Sequence, residues 1–496
     1  MELKLKPVRT FPFLFWAGYC FLLFIIQLLQ GTSIVFASHI LFFNLCWGFT
    51  VNLLGGLATV EGWLIFLFGL RHVGISQFAK MFFGQAADTG LDNPELTGMV
   101  YSWGILTVLI VCVVISKFDL SMRGFIKPHT SESSRFSHWI IFGVGLIGMA
   151  TKIIQSSFSI LYLLPLFNLL TYLHPLTFLG LAYELNKNLK QSKGRHFLSP
   201  SSLIMLIISF GFGAVSASKQ NMFEPMMVVF LTLLFQGYIF KARHLIWGGV
   251  LVFLAVFVLT PLSNYGRNEY RQESTSKTII SLIDYLSKNF SSVEKYQSYK
   301  QSIEETYEES NLAERSYFGK SYPLLERFSL IHDADNLIAN YKFREHEGFP
   351  FFWDRLHLLP RSLTGKWLKD DYIQGDDLAK ISGIISEDND TTWVSFGFIA
   401  EAYAIFGWWG GIVAISMPLL LYLIMVRSLD IPSGDRVWTV FLIVYLQHTF
   451  SEAGVISMIL YIARLLPLLL ILKKLLEVLE QSAGPSRKRF LLSRYA

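Results

Sequence analysis

The chain has few charged residues and few cysteines for its length. Charged residues make up 16% of the 496 positions and hydrophobic residues 52%, whereas soluble domains carry about 25% charged residues. This composition excludes an ordinary soluble protein. The cysteines Cys20, Cys46 and Cys112 all lie within apolar runs. They predict core-filling side chains and neither a disulfide framework nor a thiolate metal site.

Several motifs of nucleotide-dependent and hydrolytic enzymes are also absent. The sequence has no Walker A loop, dinucleotide fingerprint, HExxH or GxSxG pattern, which argues against nucleotide-driven transport. It shows no repeat of its first half in its second half, although many transporters consist of duplicated halves. The net charge of +5 comes from short basic clusters between apolar runs, so nucleic acid is not an expected partner.

The apolar residues form runs of about 20 residues, long enough to cross a bilayer as helices. The sequence therefore predicts an all-α polytopic integral membrane protein. We place twelve spans at 11–30, 35–56, 59–76, 97–116, 137–154, 158–183, 200–218, 222–240, 245–263, 403–426, 437–452 and 455–472. The third span has the charged residues Glu61 and Arg71 in or beside it. Pro165 and the pair His174-Pro175 predict a broken or tilted helix in 158–183.

The distribution of basic residues predicts the orientation of these spans. With a cytoplasmic N-terminus, the basic clusters fall on the inside, as the positive-inside rule requires. Both termini are then cytoplasmic. The chain divides into an N-terminal bundle at 1–263, a large extracytoplasmic loop at 264–402, and C-terminal spans with a basic tail at 403–496. A loop of this length is too long for a simple connection and is the expected place for function.

The first candidate site lies where this loop leaves the membrane. Arg267 and Arg271, close to Tyr265, would share one face of a helix. Two interpretations are open: contact with lipid head groups, or a guanidinium clamp for a phosphate or diphosphate.

The second candidate is the segment His357–Trp367, which contains Pro360, Arg361 and Lys366. Its proline and glycine predict a structured turn that projects two cations beside apolar flanks. A surface turn with solvated charges is the alternative.

The third candidate is the segment 390–411, which begins like a capped helix and carries Glu401 in an apolar, aromatic stretch. A carboxylate in such a place marks a functional site by default. The alternative is a structural pairing on a neighbouring helix with Arg71, Lys219 or Arg464. Close helix packing is the expected role of the glycines Gly407, Gly410 and Gly411.

The fourth candidate combines Arg327 with His332, Asp333 and Asp335. Histidine and aspartate can form a general base and its orienting partner, or a divalent-metal site with oxygen ligands. The spacing matches no metal-binding loop, so an exposed polar turn is the favoured interpretation.

Two of these segments resemble the Wzy-type oligosaccharide repeat-unit polymerases of bacterial surface polysaccharide synthesis. The turn LLPRSLTGKW at 358–367 is similar to a PRxLWPxKP-like segment of that family, although Thr364-Gly365 replaces the Trp-Pro and Trp367 the last proline. The family's GxxxExYxxFGxxG helix is matched by six residues: Gly397, Glu401, Tyr403, Phe406, Gly407 and Gly410. The topology is similar along the whole chain, but the motifs cover about fifty residues.

This resemblance implies a metal-, nucleotide- and cofactor-independent glycosyltransferase of the bacterial inner membrane. Its partners would be undecaprenyl diphosphate-linked oligosaccharide, membrane lipids and a chain-length regulator protein. Arg267, Arg271 and Arg361 would stabilise the diphosphate leaving group. Glu401, or in second place His332, would activate the acceptor hydroxyl. The expected substrate-binding residues also include Arg327, Lys366, Tyr265, Trp393 and Tyr403.

Three other functions remain open at this point. An O-antigen ligase would use a related reaction, but the loop histidines lack the context typical of ligases. A transporter or flippase of lipid-linked saccharides would distribute charges through the bundle and have short loops. A structural subunit of an assembly complex would tolerate changes at all the charged positions above.

Overall fold

The computed structural model of the chain describes most of the N-terminal bundle and parts of the rest. The longer described ranges are 9–118, 137–157, 170–215, 219–241, 328–339, 394–429 and 436–452. The shorter described pieces are 2–4, 288, 292, 294–295, 297–298, 301, 317–318, 325, 378–380, 454–455, 458–459 and 462. Every structural statement below concerns these residues.

Helices make up almost all of the described structure. In chain order they are α1 (Phe13–Leu29), α2 (Ile34–Leu53), α3 (Val60–Gly69), α4 (Ile75–Phe82), α5 (Pro94–Phe118), α6 (Ser137–Ser157), α7 (Leu176–Gln191), α8 (Pro200–Val215), α9 (Lys219–Phe235), α10 (Ile331–Ala339), α11 (Phe398–Leu429) and α12 (Val437–Glu452). A short 3-10 turn (Gly56–Ala58) precedes α3, and a π-helical turn (Leu70–Gly74) joins α3 to α4. Two three-residue strands, β1 (Glu2–Lys4) and β2 (Ile239–Lys241), pair antiparallel with Glu2 opposite Lys241.

Three helices are long and apolar enough to cross a membrane: Ile34–Leu53, Pro94–Lys117 and Phe398–Arg427. Four shorter apolar helices accompany them at Phe13–Leu29, His138–Ile154, Pro200–Gly213 and Asn221–Phe235. The prediction of a helical membrane-embedded protein therefore agrees with the structure. The count of twelve spans remains a prediction, and the span 245–263 lies outside the described residues.

Two irregular spans have clear local causes. In the third, Thr59 caps α3 by accepting a hydrogen bond from the amide of Gly62 at 3.1 Å. The backbone then passes through the π turn and continues to Phe82, beyond the predicted end at residue 76. In the sixth, Pro175 stands before the first residue of α7, so the predicted break falls at His174-Pro175. Pro165 lies outside the described residues.

Aromatic side chains fill the centre of the bundle. The Phe68 ring stacks on Phe398 with a centroid distance of 4.8 Å and meets Phe450 edge-on at 6.1 Å. Because α2 packs on α5, α11 on α5 and α12 on α3, the same core joins the N-terminal and C-terminal parts of the chain. Cys20 and Cys112 are buried in the bundle and Cys46 is half-buried; all three are free thiols, as predicted.

Polar contacts mark two opposite ends of the bundle. At one end, Arg427 of α11 lies 3.4 Å from Glu61 of α3 and donates to the carbonyl of Ile115 at 2.6 Å; we call this the Arg427 end. At the other end, Arg71 meets Glu452; we call this the Arg71 end. The predicted spans place Glu61, Ile115 and Arg427 on one side of the membrane and Arg71 and Glu452 on the other, and the observed pairings agree with this. Which end faces the outside of the cell remains a prediction.

Candidate functional site

The π-helical turn between α3 and α4 places two basic residues inside the bundle. Arg71 is 6% exposed and donates through Nη1 to Glu452 Oε1 and, at 3.2 Å, to Ser451 Oγ. Its guanidinium also lies over the Phe328 ring, 5.3 Å from the centroid. π-helical turns inside α-helices are rare and are frequent at functional sites. The turn therefore brings a buried cation against the end of α12.

Glu452 connects this arginine to a histidine on its own helix. His448 lies one turn earlier on α12, with its Nδ1 3.0 Å from Glu452 Oε1. The same carboxylate oxygen thus serves both Arg71 and His448. The two basic partners offset part of the hydration that the Glu452 carboxylate loses on burial.

The second basic residue of the turn, His72, is fully buried. Its Nδ1 lies 3.1 Å from the hydroxyl of Tyr101 on α5. The imidazole packs directly against Gly397, where an added Cβ would collide with the ring. Gly397 has φ 75°, a conformation that side-chain-bearing residues rarely adopt. Glycine is therefore required at this position for both space and backbone geometry.

Glu401 follows Gly397 by one helical turn and is 6% exposed. Its Oε2 accepts a hydrogen bond from the amide of Val455 at 3.0 Å, and an added Cβ at Gly454 would overlap the carboxylate. Among the described residues, Oε1 accepts no hydrogen bond. The structural pairing with Arg71 is therefore wrong, because Arg71 binds Glu452 instead. Arg464 and the Lys219 side chain lie outside what the structure describes.

Two glycines bound the short helical segment that carries Glu401. Gly407 interrupts α11 with φ 65° and ψ −160°, a region that is essentially restricted to glycine. Gly407 is therefore needed for its backbone conformation, and its predicted packing role stays a prediction. The packing role is confirmed for Gly411, because an added Cβ there would meet the ring of Trp103 on α5. Between the glycines, Tyr403 points its ring edge at Trp408, with centroids 4.9 Å apart.

A helix of the large loop covers this end of the bundle. Asp335 on α10 is fully buried and accepts hydrogen bonds from the amides of Asp92 and Asn93 and, at 2.6 Å, from the hydroxyl of Thr97. These groups lie at the N-terminus of α5, which begins at Pro94, and a carboxylate there offsets the partial positive charge of the helix. Asp335 therefore fixes α10 to the membrane helices.

His332 lies on the same helix as Asp335. Its ring stacks on Tyr317 with a centroid distance of 6.0 Å, and its Nδ1 is 4.0 Å from Asp333 Oδ1. Burial lowers the pKa of His332, an effect that Lys80 increases and Asp92 opposes. The neutral imidazole that a general base needs is therefore favoured at neutral pH. Burial also raises the pKa of Asp335, which its hydrogen bonds with Thr97, Asp92 and Asn93 oppose.

The fourth candidate site is thus corrected in part. The segment is a helix with a buried aspartate, so the exposed polar turn is wrong. The described part of the chain contains no group of three or more His, Cys, Asp or Glu residues that could hold a metal. Asp335 has a structural role at α5, and His332 has Asp333 only at the limit of an ion-pair distance.

The remaining predicted site residues lie outside the described residues. They are Tyr265, Arg267, Arg271, Arg327, Arg361, Lys366 and Trp393. Of the ten predicted site residues, the structure describes Glu401, Tyr403 and His332. The helix α10 that carries His332 packs against α11, which carries the other two.

Sequence reasoning treated several members of this site as incidental or did not single them out. Arg71 was considered only as a possible partner of Glu401, and no role was assigned to His448, Glu452, His72 or Tyr101. The available signal was the adjacent pair Arg71-His72 inside an apolar run, since ionisable residues in a span are costly. Only the fold shows that this pair meets the end of α12.

Comparisons with known proteins give no further assignment. No family model matches the chain, and neither the curated proteins nor the solved structures give a significant match.

Proposed function

We propose that this protein is a glycosyltransferase that joins lipid-linked oligosaccharide repeat units into a surface polysaccharide at the outer face of the bacterial inner membrane. One observation carries the proposal. Glu401 lies buried at the Arg71 end, within a glycine-bounded segment of the polymerase-like motif and near a loop helix fixed to the bundle. A carboxylate so placed is suited to proton transfer in a site shielded from water.

The proposed reaction exchanges one bond at the anomeric carbon. The acceptor hydroxyl oxygen attacks that carbon, and its proton passes to Glu401. The bond from the same carbon to the diphosphate oxygen breaks, and its electron pair leaves with undecaprenyl diphosphate. Because negative charge grows on this leaving group, cations placed beside it lower the barrier. Arg267, Arg271 and Arg361 remain the proposed cations from the loop, with Arg327 and Lys366 as further contacts.

The local geometry supports a base at position 401. The Val455 amide holds Oε2 and so fixes the carboxylate plane, while Oε1 accepts no hydrogen bond among the described residues. Tyr403 lies two residues further along the same segment and packs against Trp408; it remains a proposed aromatic contact for a sugar. His332 is the second choice, because burial lowers its pKa and so favours the neutral form that a base needs. Tyr265 and Trp393 are the other proposed aromatic contacts.

The test is polysaccharide chain length in a host that depends on this protein. Arg267→Ala, Arg361→Ala and Glu401→Gln would be introduced singly, with Arg436→Ala as a matched arginine control. Arg436 lies over the Phe235 ring, 5.6 Å from the centroid, away from the Arg71 end. We expect single repeat units to accumulate in the first three variants while the protein remains in the membrane, and normal polymer in the control.

Two results would contradict the proposal. Normal long chains from all three variants would show that the proposed site residues are wrong. Accumulation of unexported lipid-linked units on the cytoplasmic side would show a flippase instead of a polymerase.

A further inference from the structure

An apolar cavity of about 400 Å³ lies between α1, α2 and the α3–α4 junction. This volume is within the range of ligand pockets, roughly 300 to 1,000 Å³. Its aromatic lining residues are Trp16, Tyr19, Trp47, Phe66, Phe78 and Phe328. Because its walls are apolar, an apolar occupant gains dispersion contacts with them.

The cavity follows the helices over a considerable length. Its lining positions on α3 and α4 run from Phe66 to Ala79, which corresponds to about 20 Å of helix at 1.5 Å per residue. On α1 they run from Trp16 to Leu23. An elongated space with apolar walls suits a hydrocarbon chain better than a compact polar ligand.

Several lining residues reach the surface of the bundle. Phe78 is 46% exposed, and Gly74 and Ile75 are half-buried. Beside them, α1 presents Phe21 and Leu22 outward, both about half exposed. In a membrane protein this apolar surface faces lipid. A lipid chain can therefore enter the cavity sideways between α1 and α4.

The cavity shares a wall with the buried ion pair. Phe328 lines the cavity, and the guanidinium of Arg71 lies over its ring, 5.3 Å from the centroid. Leu70 and Gly74, the first and last residues of the π turn, also line the cavity. The cation of Arg71 thus lies next to residues that line the apolar space, an arrangement that suits a lipid with an anionic head.

We propose that this cavity holds the hydrocarbon chain of a polyprenyl phosphate lipid and that Arg71 binds the phosphate of that lipid. The choice of a polyprenyl lipid rests on the proposed function. Arg71 exchanges Glu452 for phosphate oxygens, which match the guanidinium fork. Glu452 keeps His448 as a partner at 3.0 Å, so the exchange does not leave its charge isolated. The lipid head then lies at the Arg71 end, where Glu401 is also buried.

Binding of undecaprenyl phosphate to the full-length protein in nanodiscs tests this proposal. Cys20→Phe fills the cavity, because Cys20 lines it and is 1% exposed. Ala79→Leu is a second filling variant, for the case in which Cys20→Phe does not fold. Leu22→Phe is the control, on the same helix but directed at lipid. We expect each filling variant to weaken binding about tenfold or more, a loss of about 1.4 kcal/mol, and the control to bind like the wild type.

The head group is tested with Arg71→Gln, with undecaprenol as an uncharged probe, and with two competitors. We expect Arg71→Gln to weaken binding of undecaprenyl phosphate about tenfold and to leave binding of the uncharged undecaprenol unchanged. Inorganic diphosphate and phosphatidylglycerol should compete poorly. Wild-type binding by both filling variants would overturn the proposal. If phosphatidylglycerol competes as well as undecaprenyl phosphate, the cavity binds an ordinary bilayer lipid. If inorganic diphosphate competes equally, Arg71 is an anion site that does not depend on the hydrocarbon chain. Either result would also overturn the proposal.

This test is separate from the test of polymerisation, because the probe carries no sugar. Failure of lipid binding together with normal polymer formation would show that this cavity is not a lipid site and would leave the proposed function intact. Specific lipid binding together with unchanged polymer in the Glu401 variant would support the lipid site in this cavity and contradict the proposed function.

Discussion

Each end of the bundle contains an ion pair between an arginine and a glutamate, but the two pairs lie in different backbone settings. At the Arg427 end, Glu61 and Arg427 both come from regular helix, and Arg427 also binds the carbonyl of Ile115. At the Arg71 end, the arginine comes from a π turn and is covered by Phe328. Irregular backbone persists only where surrounding contacts stabilise it, and it is concentrated at functional sites.

Two other buried carboxylates, those of Glu184 and Glu401, differ in the number of their partners. Glu184 of α7 contacts His138 at 2.8 Å, Lys187 at 3.3 Å and the hydroxyl of Ser199 at 3.2 Å. Glu401 has one hydrogen bond among the described residues, from a backbone amide. A carboxylate with several partners is suited to a structural role. One with a single partner retains capacity to accept a proton or a substrate hydroxyl.

The largest effect on stability should distinguish the two ion pairs. Arg71→Met leaves Glu452 buried with the loss of its main cation, and we expect a loss of about 3 to 5 kcal/mol. Arg427→Met should cost less, about 1 to 3 kcal/mol, because Arg427 is more exposed than Arg71 and its distance to Glu61 is longer. Thermal unfolding of the purified variants in nanodiscs measures both. Equal losses would show that the two pairs are equivalent.

A medium effect should come from the attachment of α10. Asp335→Ala removes the acceptor for the Asp92 and Asn93 amides and the Thr97 hydroxyl. We expect this to weaken loop attachment by about 1 to 3 kcal/mol, with little change in the membrane helices. Limited proteolysis of the loop measures it, with the more exposed Asp333→Ala as the control. Unchanged cleavage rates for Asp335→Ala would show that α10 is held by other contacts.

A small effect should appear as pH dependence of the same attachment. Because burial lowers the pKa of His332, attachment contributed by this residue is fully present above its ordinary pKa of about 6.5. It is lost as the pH falls from there toward the lowered value. Asp335 acts in the opposite direction, since its raised pKa favours attachment at lower pH.

The variant His332→Gln separates these two contributions. We expect loop cleavage in the wild type to increase from pH 7.5 to pH 5 by more than in His332→Gln. A larger increase in the variant than in the wild type would contradict the assigned direction for His332.

Hydropathy predicted the regular membrane helices, but it did not predict the π turn. Runs such as 97–116 and 437–452 predicted helices because a long apolar sequence in lipid has no other way to satisfy its backbone. The π turn at Leu70–Gly74 gave no such signal, since its residues are compatible with an ordinary helix. It depends on tertiary contacts, including Leu330, whose amide donates to the carbonyl of Arg71 at 3.1 Å.

The candidate site was likewise predictable only where a residue was anomalous by itself. Glu401 attracted attention because a carboxylate in an apolar stretch is costly. The prediction that Asp335 lies in an exposed polar turn was wrong, because its partners at the start of α5 are more than 200 residues away in sequence. Gly397 and Gly407 were matched to the family pattern, but their positive φ angles and the contact with His72 required the structure.

The most direct test of the account compares two glutamates at opposite ends of the bundle. Glu401→Gln and Glu61→Gln are the same chemical change at residues that are both buried and carried on helices. The readout is polysaccharide chain length in the host, with each variant present in the membrane at the wild-type level. We predict that Glu401→Gln lowers polymerisation by about 100-fold or more, and that Glu61→Gln retains long chains. Long chains from Glu401→Gln, or equal loss from both variants, would contradict the claim that the Arg71 end is the catalytic end.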